Sequence, residues 1–286
     1  MKLRSIALAF QFLTIIPVKI TGEVSEKDLA DSSIFFPLAG AFQGLILAVL
    51  SFFLLKIFSP EITAAIILLA YLLTNGGFHQ DGLADSFDAV SVKSAGNREQ
   101  DIQKRLAVMK DSTTGPIGVI SIVFSLLFKY LLIKAIMQLK GDGCLILFLM
   151  PIYSKWAMVS VMYRSKSARS DGIGSIFLEH CALKHVVISA LLLVFAGFTS
   201  FYASGYCIFP IAPWEKGPFI LFLFCEIAVI YLFCIFLRHI FTNKFGGLLY
   251  RLTLLRGYQD SGQYFLCSFL FRGQHSPMCP EDLRKH

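Results

Sequence analysis

Apolar residues gather in this chain into six blocks, each close to the length needed to cross a bilayer as helix, about 20 residues. They run Ile34–Leu55, Ile62–Phe78, Pro116–Ile136, Cys144–Tyr163, His185–Ile208 and Gly217–Phe241, the second being the shortest. With 56% hydrophobic and only 16% charged residues, a water-soluble globule would have to expose large apolar patches. The expected fold is therefore all-α: a polytopic transmembrane bundle of about six spans, with lipid as its solvent. Ser5–Val18 is also apolar but short for a span and ends at Pro17. It reads as an interfacial helix or one packed on the bundle, and no small-x-small cleavage site follows it.

Cytoplasmic loops retain Lys and Arg. The N-terminal segment (Lys2, Arg4, Lys19, Lys27), the 79–115 loop (Lys93, Arg98, Lys104, Arg105, Lys110), the 164–184 loop (Arg164, Lys166, Arg169, Lys184) and the residues after the last span are all basic. The alternate connections hold only Lys56, Lys134, Lys140 and Lys216. Both termini and both long loops are therefore expected on the cytoplasmic side of a bacterial inner membrane. Topology and anionic headgroups account for the net charge of +7 without nucleic acid. The seven cysteines show no C-x-x-C spacing and read as small hydrophobes, not as a zinc or disulfide framework.

The 79–115 loop is far longer than a helical hairpin needs and holds six acids beside its five bases. Asp81, Asp85 and Asp88 are spaced i, i+4, i+7, which on a helix places them within an arc of about 60°. Their mutual repulsion is offset when a hard cation such as Mg²⁺ sits among the oxygens, with phosphates completing its shell. The competing reading is a solvated acidic face. Gly76, Gly77 and Gly82 favour the site, since glycines let backbone amides and a bulky ligand approach closely. Leu83 and Phe87 lie off the acidic stripe and are expected to hold the helix against the bundle. Further on, Lys110, Asp111 and Ser112 precede a Gly-Pro helix start, a place that favours an anion, although Ser112, Thr113 or Thr114 can equally serve as caps. Within the spans, Lys129, Lys155 and Glu226 are costly polar groups that suggest function. Lys155 is the best placed to face a cavity, with Glu226 as its expected ion-pair partner.

The run Gly76-Gly-Phe-His-Gln-Asp-Gly-Leu-Ala-Asp85 with Met109-Lys-Asp-Ser-Thr-Thr-Gly115 resembles the cobalamin synthase family, adenosylcobinamide-GDP ribazoletransferase. Phe12-Leu-Thr-Ile-Ile-Pro17 and Phe36-Pro-Leu-x-Gly40 are similar to the family's opening, and Lys129, Ser154-Lys155 and Asp171-Gly-Ile-Gly174 are weaker similarities. The resemblance covers about residues 8 to 247. There it stops: the family's pattern continues with a Thr-Gly-Asp motif and a last apolar span, and this chain continues Leu248-Leu-Tyr-Arg251 into a basic tail. The chain thus reads as a catalytic bundle, 1–247, and a divergent tail, 248–286.

The resemblance implies a reaction that joins adenosylcobinamide-GDP to α-ribazole or its 5′-phosphate and releases GMP. It implies Mg²⁺ held among Asp81, Asp85, Asp88 and Asp111, with Asp81, Asp85, Asp111 and His79 as the catalytic set. Lys110, Ser112, Gly76, Gly77 and Lys155 would then bind substrate. Two other readings stand beside it. A transporter would use intramembrane charges but predicts a repeat between halves, and none is visible. A CDP-alcohol phosphotransferase also sets aspartates at a membrane face but expects Asp-Gly-x-x-Ala-Arg, whereas Asp85 follows Ala84 directly here.

Overall fold

The computed structural model describes residues 3–20, 22–111, 113–139, 143–168, 173–203 and 216–248, all within the unit Met1–Arg251. Apart from Leu248, the divergent tail lies outside the described residues. Those residues form eleven α-helices: α1 (Leu3–Leu13), α2 (Glu26–Ser32), α3 (Phe36–Leu54), α4 (Pro60–Thr74), α5 (Phe78–Ser91), α6 (Arg98–Val108), α7 (Pro116–Met137), α8 (Gly143–Met162), α9 (Ile173–His180), α10 (Leu183–Ala203) and α11 (Lys216–Phe245). A 3₁₀ turn, Ser33–Phe35, joins α2 to α3.

Five segments are long and apolar enough to span by themselves: Glu26–Leu54, Pro116–Met137, Gly143–Met162, Leu183–Ser200 and Leu223–Phe245. The expected second span is different. Helix α4 has 15 residues, about 22 Å at 1.5 Å each, and the chain then bends 86° into α5. Counted as one bent span, α4 and α5 make the sixth.

Helix α1 buries Leu8, Ala9, Phe12 and Leu13, and Phe12 meets Phe177 of α9 edge-on at 5.3 Å. The short apolar N-terminal segment is thus packed on the bundle. The chain leaving α1 joins α4, where the Ile15 amide donates to the Thr74 carbonyl at 3.2 Å. Between α3, α4, α7 and α8 lies a core of Leu47, Ala64, Ile67, Tyr71, Ile133, Met137 and Leu147.

The most extensive helix contact is α3 against α8, and Gly40-x-x-x-Gly44 lets the two backbones approach. A methyl group at Gly44 would lie 2.0 Å from the Phe148 carbonyl oxygen, and one at Gly40 would lie 2.6 Å from that of Pro151. Only hydrogen at these Cα atoms allows the backbones to touch, as small residues do between helices in lipid. The outward rows of α7 and α11, including Phe124, Phe128, Val229 and Phe233, stay exposed, the face such a bundle offers to lipid.

Candidate active site

The bend between α4 and α5 follows from two glycines. Asn75 ends α4, the Gly76 amide donates to the Leu73 carbonyl at 3.0 Å, and the Gly77 amide donates to the Leu72 carbonyl at 3.2 Å. This is a Schellman closure, which demands a left-handed residue just past the cap. Gly76 supplies it at φ 64°, and Gly77 repeats it at φ 71°. Both amides are used in closing α4, so the part these glycines play is to turn the chain.

Helix α5 then carries the acidic motif, with the stripe turned inward. Ala84, Asp85, Asp88 and Ala89 are buried, while Asp81 is exposed. Phe87, expected to hold the helix to the bundle, faces outward at 49% exposure. The reason for the reversal is Asp88. One of its carboxylate oxygens accepts from the Gly115 amide and the other from the Gly118 amide, each at 2.7 Å. Gly115 is the cap of α7 and contributes no side chain, so a carboxylate from α5 satisfies the free amides at that helix start. A methyl group at Gly118 would fall 2.3 Å from Asp88. The anion at the head of α7 is thus one of the chain's own acids, and neither Thr113 nor Thr114 serves as its cap residue.

Beside the bend, a cation is buried in the span. Lys155 of α8 is 1% exposed. Its Nζ donates to Asn75 Oδ1 at 3.0 Å and lies 2.9 Å from His79 Nε2. With Lys155 as the donor, that imidazole nitrogen is the acceptor and the proton of the neutral ring sits on Nδ1. Asn75 is held in turn, its Nδ2 donating to the Tyr71 carbonyl at 2.9 Å. The Lys155–Glu226 pair expected from the sequence does not form. Glu226 accepts from the Tyr153 hydroxyl at 2.7 Å, because residues 153 and 155 lie about 200° apart around α8.

Lys110 and Asp111 are exposed after α6, and the Thr113 amide donates to Asp111 Oδ1 at 3.0 Å. Ser112 lies outside the described residues, as do Asp171 and Gly172 of the weaker match. Among the described residues no three His, Cys, Asp or Glu side chains converge into a group able to hold a metal ion. Asp81 and Asp85, one turn apart on α5, offer hard oxygen donors. That set suits Mg²⁺, which is usually carried on one or two carboxylates with substrate phosphates and water, not in an all-protein cage.

Residues not singled out from the sequence complete the surroundings. Asn75 opens the motif and is the partner of Lys155. Arg105 donates to the Lys244 carbonyl at 2.9 Å, tying α6 to the last turn of α11. Phe245 packs against Ala89 and Met109, and Gly247 and Leu248 meet the loop after α8 in a single bridge, Ser167 to Leu248. The spacing of Gly40 and Gly44 is the sequence signal that could have pointed to the α3–α8 contact.

The profile of the cobalamin-5-phosphate synthase family matches residues 5–249, ending two residues past Gly247. An adenosylcobinamide-GDP ribazoletransferase of Thermodesulfovibrio yellowstonii is 33% identical over 243 residues, covering 84% of this chain and 86% of that protein. A protein of the same name from Geotalea daltonii is 38% identical over 196 residues, covering 68% and 75%, and one from Clostridium tetani is 34% identical over 188 residues, covering 65% and 71%. No solved structure matches the chain. These similarities favour neither a transporter nor a CDP-alcohol phosphotransferase. The glycine-broken α4–α5 span, the acidic stripe on α5 and the profile match from α1 to the end of α11 place this chain in the cobalamin-5-phosphate synthase family.

Proposed function

We propose that the chain transfers the phosphoryl-cobinamide group of adenosylcobinamide-GDP to α-ribazole, or its 5′-phosphate, releasing GMP at the cytoplasmic face of a bacterial inner membrane. The observation that carries this reading is the family match over the whole described bundle, with Asp81, Asp85 and Asp88 on one helix that bends 86° from α4.

The acceptor's ribose hydroxyl attacks the phosphorus nearer the cobinamide, the new P–O bond forms as the bond to the GMP oxygen breaks, and the hydroxyl proton is lost. Displacement at phosphorus depends chiefly on positioning and on neutralising charge. Mg²⁺, when bound, neutralises the diphosphate, and Asp81 and Asp85 are the residues to hold it. Asp88 keeps α5 in place by capping α7, so its contribution is to position its two neighbours. Lys155 places its buried Nζ at the bend, held by Asn75. His79 lies at the same point, with Nε2 against Lys155 and its Nδ1 proton available to orient an incoming oxygen.

An added methyl group at Gly82, on the same turn of α5 as Asp81 and Asp85, would meet nothing within 4 Å. The test is GMP release by the purified full chain from adenosylcobinamide-GDP and α-ribazole, with and without Mg²⁺. Asp81→Asn and Asp85→Asn are expected to abolish the metal-dependent release while the protein stays folded in the membrane. Unchanged release in both would remove these acids from the chemistry. For the orientation, Gly96→Cys in intact cells is expected to resist a periplasmic thiol reagent, and efficient labelling would reverse the topology.

A further inference from the structure

The loop after α8 frames a cavity of about 640 Å³, lined in part by Arg164, Ser165, Lys166, Ser167, Leu178 and Glu179. We propose that this cavity is a subsite for the phosphorylated ribose of a nucleotide, with Arg164 and Lys166 as its phosphate-binding groups. The identity of the occupant rests on the transferase reading above. Its volume is within the range of small-molecule sites, about 300–1,000 Å³.

Three observations carry the assignment. Arg164 adopts φ 58°, the only positive φ of a non-glycine residue among those described. Arg164 stands two residues past Met162, the last residue of α8, where a left-handed residue commonly ends a helix, and the turn leaves Arg164 and Lys166 bordering the same cavity. Three bonds hold it: the Tyr163 amide donates to the Val159 carbonyl, the Ser165 amide donates to the Met162 carbonyl, and Arg238 of α11 donates to the Tyr163 carbonyl at 2.7 Å.

Second, both cations are exposed, and neither has a carboxylate partner among the described residues. Arg164 only lies over its neighbour Tyr163, 5.6 Å from the ring centroid. The Ser165 hydroxyl donates to the Val161 carbonyl, and the two cations give the cavity the charge to recognise an anion. Glu179 gives the cavity one acid against two bases, and a carboxylate there suits the hydroxyls of a ribose or the N–H edge of a base.

Third, the loop is tied to the site. The Leu248 amide donates to the Lys166 carbonyl at 2.8 Å, and the Ala168 amide donates to the Leu248 carbonyl at 3.0 Å. Three residues before Leu248, Phe245 packs on Ala89 and Met109, which adjoin Asp88 and Lys110. A methyl group at Gly247 would lie 2.6 Å from the Ala168 amide nitrogen, so this seam closes only with glycine. The cavity loop and the acidic helix thus both pack against the C-terminal end of α11.

The experiment is equilibrium dialysis of the full chain in nanodiscs against GMP, α-ribazole 5′-phosphate and inorganic phosphate. Variants are Lys166→Ala, Lys166→Arg and Arg164→Gly. Lys166→Ala is expected to weaken nucleotide binding about tenfold, the loss of one charge-assisted contact, and Lys166→Arg to restore it. Arg164→Gly removes a charge but relieves the positive φ, so it should weaken binding while the unfolding temperature holds or rises. A defect confined to GMP assigns the cavity to the leaving nucleotide, and one confined to α-ribazole 5′-phosphate assigns it to the acceptor. Both outcomes support a phosphorylated-ribose subsite. Equal affinity of all variants for both nucleotides, or transfer with unchanged KM in Lys166→Ala and Arg164→Gly, overturns it. Intact, variant-sensitive binding in a chain that releases no GMP overturns the transferase reading alone.

Discussion

Replacing Gly44 with alanine tests whether the α3–α8 contact sets the depth of the buried lysine. The added methyl carbon would lie 2.0 Å from the Phe148 carbonyl oxygen, 2.8 Å from its carbon and 2.9 Å from its Cα. All three are backbone atoms, so no side chain can swing aside. Ordinary contact begins near 3.4 Å, and the helices must part by about 1.4 Å to reach it. Overpacking of this kind costs about 3 kcal/mol, and the separation also loosens Leu47 and Leu147, both fully buried. For a chain of this length that is a fall in unfolding temperature on the order of 10 °C. The displacement is carried along α8 to Lys155, whose bonds to Asn75 and His79 are 3.0 and 2.9 Å long, so GMP release should fall as well. The comparison variant is Gly82→Ala, where the methyl group meets nothing and helix propensity gains up to about 1 kcal/mol. Thermal unfolding of both proteins in the same detergent decides the matter. Gly44→Ala unfolding with the parent protein, or no less stable than Gly82→Ala, would refute the contact as described.

Asp88→Asn should lower stability by about 2 kcal/mol, the scale of hydrogen bonds to a charged group, because it weakens the cap of α7, whereas exposed Asp81→Asn should unfold like the parent. Equal unfolding of the two would deny the cap. The Ala95 amide, 2.6 Å away, and the Ser94 hydroxyl hold the Asp101 carboxyl below its ordinary value of 3.8. Its stabilisation is therefore fully present above that value and is lost as pH falls through the lower folded-state value. Asp101→Asn should flatten the acid limb of the stability profile, and an unaltered limb would show the carboxylate to be inert. The chain as written should rescue a cell lacking cobalamin synthase less well than one whose residues after Gly247 are replaced by a family-like tail. Equal rescue would show that the divergent tail costs nothing.

The membrane fold was legible because long apolar blocks have one stable outcome in lipid, in which every backbone group is satisfied within its own helix. Five of the blocks became helices long and apolar enough to span, close to their expected bounds except at Ile208, which lies outside the described residues. The stretch from Gly76 to Asp85 was equally plain, since glycines beside regularly spaced acids read the same at any position in space. The direction of the stripe was not legible. Helical spacing placed Asp81, Asp85 and Asp88 on one face but could not say what that face meets. It meets the amides at the head of α7, 27 and 30 residues further on, and Phe87 is left outside. Nor could the sequence choose a partner for Lys155 among Glu226, Asn75 and His79. The choice depends on how α4, α8 and α11 pack against one another, a relation that no single helix contains.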